Sequence, residues 1–250
     1  MGIYNKCQTL VSVLIVGRWN IVDMKSKLRE VTEQNPFINL GDSVYTILYQ
    51  SIIRLEIPPD ASLSDTILAR KLEISRTPIR NALLRLQNDG LLIQSKGQSF
   101  RVAPLEKSEC RHLMESRLAI EGQAAFWAAE RITKEQLKRL KELLDGYVSA
   151  CCSWEPDGII ENDHAFHQTI VDAAHNPFLT GSYHQISPRV LHYRFFLFRQ
   201  TKRDLLEPII GISVRHSQSV FNAIRLGFND IARDQLERDI SGMMDIVGGW

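Results

Sequence analysis

The sequence predicts a mainly α-helical protein, in which an N-terminal winged helix-turn-helix is followed by an all-helical, six-helix antiparallel bundle. Three observations predict this fold class. Apolar residues recur at helical spacing through most of the chain after residue 41. Two short runs that flank Lys96-Gly97-Gln98 are typical of a β-hairpin. Short Gly- and Pro-containing connections separate the later helices, which favours antiparallel packing.

Composition places the chain among ordinary globular proteins. Its 250 residues can form two modest domains, with 44% hydrophobic and 24% charged residues. The net charge of +1 gives no general argument for nucleic acid, but Lys and Arg cluster between Arg70 and Arg101. Cys151 and Cys152 are adjacent and no CxxC spacing appears, which disfavours both a disulfide framework and a Cys-type zinc site and fits a reducing cytoplasm. The apolar run from Leu10 to Val16 is too short to span a bilayer, so we expect no membrane association.

The first helical segment is expected to follow Asp42-Ser43, an N-cap, and to stop before Pro58-Pro59 because proline cannot continue a helix. Ser64 and Ser75 are placed to cap two further short helices. Gly90 ends the third of these helices. The strands are expected over 91–95 and 99–103, and they complete a winged helix-turn-helix.

Six helices are expected after Lys107. Five of them cover about 108–130, 159–174, 178–202, 207–226 and 230–246. The remaining one begins at 133 and is the second in chain order. The second begins with a capping box from Thr133 to Gln136. Pro188 is expected to bend or break the fourth, and Gly227 separates the last two.

The third N-terminal helix has two distinct faces. Ile79, Ala82, Leu83 and Leu86 form its apolar face. Arginine and threonine lie elsewhere in its first turns, where recognition helices contact base edges. The helix N-terminus can hold a phosphate, and a small basic wing can approach the backbone of DNA. We therefore predict these DNA-contacting residues: Ser75, Arg76, Thr77, Arg80, Lys96 and Gly97. The alternative is an ordinary solvated face.

Residues 58–105 resemble the DNA-binding domain of the GntR family. The most specific pieces are Ser75-Arg76-Thr77-Pro78-Ile79-Arg80 and Asp89-Gly90-Leu91. The resemblance implies that Arg76, Thr77 and Arg80 contact the operator. This sequence departs from the family pattern at three positions. Asp60 and Glu73 stand where the family often has glycine, and Thr66 stands where some members have an arginine that contacts DNA. The operator sequence therefore does not transfer.

The rest of the chain resembles the FadR-type, or FCD, effector domain, through residues 115–133 and 161–179. The resemblance implies a homodimer on double-stranded operator DNA, a small organic acid or acyl effector, and repression as the commoner outcome. We expect an N-terminal extension over 1–40, the DNA-binding domain over 41–105, and the effector-binding and dimerisation domain over 106–250. The extension is expected to be partly flexible or foreign to the natural protein, which we expect to start at Met24.

Asp163 and His167 lie at i and i+4 on an apolar stripe. That stripe consists of Ile159, Phe166, Ile170 and Ala174. A carboxylate and an imidazole on an inward face need partners, because an unpaired buried charge is costly. The pair suits a divalent metal ion or a structural Asp–His hydrogen bond.

In metal-binding FCD domains, the resemblance implies two further histidines, and those positions fall on Ser217 and Asp239. Ser217 is a poor ligand, so the predicted metal site is Asp163, His167 and Asp239, holding zinc, manganese or nickel. An oxygen-rich set shifts preference from zinc towards manganese, magnesium or calcium. Two other interpretations stay open: a metal-free pocket that binds effector directly, and a purely structural polar cluster.

Inward arginines are candidates for clamping a carboxylate effector, since the guanidinium matches its geometry. Arg117 is one candidate, and an i,i+4 salt bridge with Glu121 is the alternative. Arg194 and Arg189 are others, with a solvated face as the alternative. Together with Asp163 and His167, Arg117 and Arg194 form the predicted effector-binding set.

We expect a non-enzymatic, sequence-specific DNA-binding regulator. One alternative is a regulator with a degenerate, effector-free pocket. A metal-dependent hydrolase is another, although no nucleophile elbow, phosphate loop or HExxH motif accompanies Asp163 and His167.

Overall fold

A computed structural model describes residues 21–34, 39–94 and 99–249. The boundary between two compact units lies between Pro104 and Leu105. Among the described residues, no helix combines the length and apolar character that a bilayer-spanning segment requires.

The N-terminal unit is a winged helix-turn-helix, which confirms the expected architecture. Its elements are α1 (Ile21–Gln34), α2 (Leu40–Ile53), β1 (Ser62–Leu63), α3 (Asp65–Leu72), α4 (Arg76–Asn88), β2 (Leu92–Ile93) and β3 (Phe100–Val102). The strands form an antiparallel sheet in the order β1-β3-β2. The predicted DNA contacts Lys96 and Gly97 lie outside the described residues.

Local capping in this unit differs from expectation at two helices. Asn39, not Asp42-Ser43, caps α2, because its side chain accepts a hydrogen bond from the Gly41 amide at 2.8 Å. Ser64 caps α3 as predicted, whereas Ser75 holds the N-cap position of α4 without a side-chain capping bond. Strand β1 was not predicted, since two residues are too few to show alternation.

Part of the expected N-terminal extension is helical. In α1, Met24 and Leu28 are buried and border the same narrow gap as α2 residues Val44, Ile47 and Leu48. Burial of two long apolar side chains favours docking of α1 on the helix-turn-helix. Residues 21–34 of the expected extension are therefore helical and pack against α2.

The C-terminal unit contains the six expected helices. They are α5 (Lys107–Arg131), α6 (Lys134–Ser153), α7 (Pro156–Ala173), α8 (Pro177–Gln200), α9 (Arg203–Leu226) and α10 (Asn229–Gly249). Helix α5 packs against α7, α8, α9 and α10. Its fully buried alanines, Ala124, Ala125 and Ala128, allow these helices to approach closely. Helix α5 is therefore the element on which the inward faces of these four helices converge.

Two local predictions in this unit have opposite outcomes. The capping box at Thr133 is present, with the Thr133 and Gln136 side chains each bonded to the other's backbone amide. Pro188, by contrast, does not break α8, which continues to Gln200. The buried neighbours Ser187 and Val190 hold the helix in the core, so tertiary packing outweighs the lost backbone hydrogen bond.

We predict that Leu28→Ala lowers the unfolding midpoint of the intact protein, because truncating a buried leucine costs about 2–5 kcal/mol. Glu30→Ala, on the exposed side of the same helix, is the matched control and leaves the midpoint almost unchanged. Thermal unfolding followed by circular dichroism measures both. Equal midpoints for the two variants would show that α1 does not pack on the rest of the N-terminal unit.

Candidate functional sites

The N-terminal end of α4 presents a polar face, formed by Ser75, Arg76, Thr77 and Arg80, which we call the reading face. All four residues are exposed, and the side chains of Arg76 and Arg80 are 61% and 57% accessible. The opposite side of α4 is fully buried at Ile79, Ala82, Leu83 and Leu86. The apolar side thus anchors the helix while the reading face stays open for contact with a partner.

The arginines of α4 have different partners. Arg76 donates to Asp65 Oδ2 at 2.9 Å, and Arg80 Nη1 lies 3.5 Å from the same oxygen. The hydrogen bond from Arg76 lowers the pKa of Asp65 below its usual range. Arg85 instead pairs with Asp42 and lies over the Tyr45 ring, 4.0 Å from its centre. Arg85 therefore supports packing of α4 on α2.

The C-terminal unit buries a group of charged side chains, the buried charge cluster. It consists of Arg117, Glu121, Asp163, His167, Arg194 and Asp239, each 6% exposed or less. Helices α5, α7, α8 and α10 supply them. The expectation that Asp163, His167 and Asp239 face inward is met by their burial.

His167 lies at the centre of this cluster. Its Nδ1 atom is 2.5 Å from Glu121 Oε2, and its Nε2 atom is 3.1 Å from Asp239 Oδ2. Asp163 Oδ1 lies 3.7 Å from the same Nε2 atom. The other oxygen of Asp163 pairs with Arg194 Nη1. One imidazole is therefore surrounded by three carboxyl groups from three helices.

Arg117 forms the i,i+4 salt bridge with Glu121 that was the alternative to its role as an effector clamp. Its Nε and Nη2 atoms donate to the two carboxylate oxygens of Glu121 at 2.6 and 3.2 Å. Nη2 also lies 3.3 Å from His167 Nδ1. Because this bidentate pair uses one edge of the guanidinium, Arg117 positions Glu121 against His167.

Electrostatic coupling keeps these groups charged despite burial. Desolvation lowers the pKa of His167, but Glu121 and Asp163 outweigh it and raise the pKa to about 10. Desolvation raises the pKa of Glu121, but Arg117 and His167 outweigh it and lower the pKa to about 2. With His167 protonated, three carboxylates face three cations, and the formal charge of the cluster is zero.

Several buried polar atoms of the C-terminal unit, most of them in or near the cluster, still lack partners. In the described part of the chain, these buried side-chain atoms have no hydrogen-bond partner: Asp163 Oδ1, Tyr183 OH, His192 Nε2, Arg194 Nε, Ser217 Oγ and Asp239 Oδ1. A cavity of about 20 Å³, which has Asp163, Arg194, Tyr147 and Ser213 in its lining, adjoins the cluster. Unpaired buried polar atoms are costly, and a cavity of this size holds about one water-sized group, so this region can accept an ion or a single polar group of a ligand.

Two family models match the chain. Residues 40–102 match "Bacterial regulatory proteins, gntR family", and residues 112–242 match the FCD domain. The chain belongs to the gntR family and carries an FCD domain. The recognition from sequence is thereby confirmed, and helix α1 precedes the matched gntR region.

Curated relatives of this gntR-family chain match over part of their length. The transcriptional repressor RspR of Escherichia coli K12 is 29% identical over 143 residues, which are 57% of this chain and 63% of RspR. The regulator McbR of the same strain is 30% identical over 142 residues, 56% of this chain and 64% of McbR. The chain therefore spans less than two thirds of the length of these relatives.

Solved structures show the same fold. The structure of E. coli McbR has a TM-score of 0.72 at 23% identity and covers 85% of this chain and 99% of its own. A GntR protein from Rhodococcus sp. RHA1 has a TM-score of 0.67 at 18% identity, with 84% and 98% coverage. These similarities support the fold that the helices and sheet display.

The structure brings together the metal-ligand candidates of the FCD domain. Potential ligand atoms of Asp163, His167 and Asp239 all lie within 4.8 Å of one another. Ser217 is buried with an unpartnered hydroxyl. His216, the residue before Ser217, lies with its Nδ1 atom 3.1 Å from Gln235 Oε1 and is not among these residues.

The structure also decides between the two interpretations of Arg194 and Arg189. Arg194 is buried against Asp163, so the solvated-face alternative is wrong for it. Arg189 is also buried, and it pairs with Glu109. Sequence reasoning missed Glu121 as a partner of His167: the i,i+4 spacing from Arg117 indicated that Glu121 shares the inward face, but its contact with His167 depends on how the helices pack.

We predict that Glu121→Gln destabilises the FCD domain by about 3–5 kcal/mol, because it removes one member of a buried ion-pair network. Asp145→Asn is the matched control, since Asp145 pairs with Lys141 on an exposed surface and contributes about 0–1 kcal/mol. Denaturant unfolding of the full chain measures both variants. Similar effects for the two would contradict a special role of the buried network.

Proposed function

We propose that this chain is a sequence-specific DNA-binding transcriptional regulator whose operator affinity depends on a small carboxylate bound in the FCD domain. The reading face carries the DNA-binding part of this proposal. Two arginines and a threonine lie at the exposed N-terminal end of α4, the second helix of the helix-turn-helix, where they suit contacts in the major groove of DNA. Membership of the gntR family and relatives named as transcriptional regulators support it.

The proposed regulator acts as a homodimer. Two copies would place two reading faces on the half-sites of a roughly two-fold operator. Repression is the proposed outcome, in keeping with the name of RspR. The effector changes DNA affinity only to the extent that it binds one conformation of the regulator more tightly than another.

The buried charge cluster supports the effector part of the proposal. Arg194 borders the cavity, and its Nε atom has no partner. A guanidinium with a free donor suits a carboxylate, which would relieve the cost of that unpaired atom. The same unpartnered atoms argue against an effector-free, degenerate pocket.

We further propose that Asp163, His167 and Asp239 hold a divalent ion. Their ligand atoms lie within 4.8 Å of one another, and one oxygen of each aspartate has no partner. Zinc, manganese or nickel fits such a set, and its oxygen-rich character favours manganese. When bound, the ion supplies a Lewis-acidic position for a carboxylate oxygen. It would also replace the positive charge of a protonated His167.

A metal-dependent hydrolase is less well supported. Such an enzyme needs a free general base beside the metal-bound water. Glu121, the remaining carboxylate of the buried charge cluster, bonds both Arg117 and His167 and is therefore committed to holding them.

We predict that Arg76→Ala and Arg80→Ala each weaken operator binding roughly 10- to 100-fold, the loss expected for an arginine that contacts a base. Arg85→Ala removes the same charge from α4 away from the reading face and has a smaller effect. Fluorescence anisotropy with an operator selected from randomised DNA measures all three. Equal losses in the three variants would point to general charge attraction and contradict the proposed reading face.

We predict about one divalent ion per chain in protein purified without chelator or a metal-affinity tag. Asp163→Ala and Asp239→Ala each reduce this content because they remove a ligand. The control Asp172→Ala, at an exposed position of α7, retains the ion. Elemental analysis of the folded proteins decides the matter. A metal-free wild type would refute the metal site and leave a pocket that binds effector through side chains alone.

A further inference from the structure

Asp65 differs from its surroundings in the N-terminal unit. It begins α3 directly after the cap Ser64, and its side chain is only 14% exposed beside two arginines that are more than half exposed. One oxygen faces Arg76 at 2.9 Å and Arg80 at 3.5 Å. The other oxygen accepts a hydrogen bond from the Thr66 hydroxyl at 3.1 Å. The carboxylate is thus held in one position from both sides.

The placement of this carboxylate has a physical reason. Arg76 and Arg80 are four residues apart on α4, so their like charges are neighbours on one face. A negative charge in the first turn of α3 is stabilised by the helix dipole and lies where it can offset both guanidinium groups. Asp65 therefore lowers the repulsion within the reading face and restricts the rotamers of both arginines.

Restricting these arginines affects two kinds of DNA contact differently. A guanidinium in a fixed orientation can pair with the edge of a guanine at lower entropic cost. A free arginine can pair with any phosphate, and each phosphate contact adds to sequence-independent binding. The Asp65 charge also opposes phosphates that approach the reading face.

We propose that Asp65 is a specificity-determining residue, which aims Arg76 and Arg80 at base edges and suppresses their attraction to DNA of unrelated sequence. Asp65 acts through the arginines and is a positioning residue. This inference rests on the proposed DNA-binding function. It adds that the ratio of operator to non-specific affinity depends on one carboxylate outside the recognition helix.

Asp42 provides a matched comparison within the same unit. It also pairs with an arginine of α4, Arg85, but its side chain is 54% exposed and its partner lies away from the reading face. Replacing either aspartate by asparagine removes one negative charge and keeps the side-chain size. The two variants therefore separate an effect of position from an effect of net charge.

The test compares wild type, Asp65→Asn and Asp42→Asn by fluorescence anisotropy over a range of KCl concentrations. Each protein is titrated with the operator selected by wild type and with an unrelated duplex of equal length. For Asp65→Asn we expect operator binding to weaken and non-specific binding to tighten, so that their ratio falls about 10-fold or more. For non-specific DNA, we expect the slope of the logarithm of the binding constant against the logarithm of salt concentration to become steeper by the amount that corresponds to about one additional phosphate contact. Asp42→Asn keeps the ratio within about 2-fold, since surface charges away from a contact have small effects.

Asp65→Glu is the conservative variant, and we expect it to restore much of the specificity ratio because the charge remains. The inference is overturned if Asp65→Asn changes both affinities by the same factor, or if its ratio equals that of Asp42→Asn. A wild-type protein that binds DNA without sequence preference overturns the proposed function as well as this inference. Circular dichroism of each variant confirms that the comparison is made between folded proteins.

Discussion

The balance of buried charge in the FCD domain is the constraint on which its interior depends. Three carboxyl groups, two guanidinium groups and one imidazole lie where water cannot solvate them. Each charge is tolerated because a group of opposite sign from another turn or helix lies beside it, as Glu121 does for His167 and Arg194 for Asp163. Such a network is sensitive to any ion or anion that enters it, because the incoming charge must be compensated by the same groups. This sensitivity suits a sensing site better than a purely structural core.

The arginines of α4 in the N-terminal unit have two different roles. Near the start of α4, Arg76 and Arg80 are held by Asp65 but remain exposed. One turn or more later, Arg85 is engaged by Asp42 and the ring of Tyr45. The same side chain therefore serves two purposes along one helix. Its partner and exposure, rather than residue type, decide which arginines are available for DNA.

Helical periodicity was enough to predict both faces of α4, the six C-terminal helices and the inward pair Asp163 and His167, because each of these depends on spacing within one segment. Contacts between segments could not be predicted in this way. Which charge Arg194 meets, and that Glu121 meets His167, depend on how α5, α7 and α8 pack. Helix α1 was missed for a similar reason, since its order comes from docking two side chains on the next helices.

The proposed regulation requires that occupancy of the buried charge cluster changes the affinity for DNA. The most direct measurement is the dissociation constant of the operator complex, taken with and without Mn²⁺ and a mixture of small carboxylic acids, while bound ion is quantified in the same samples. We expect this constant to change about 5-fold or more in wild type, and we expect Asp163→Asn to abolish the change. An unchanged dissociation constant in wild type that has bound the ion and an acid would contradict the proposed regulation.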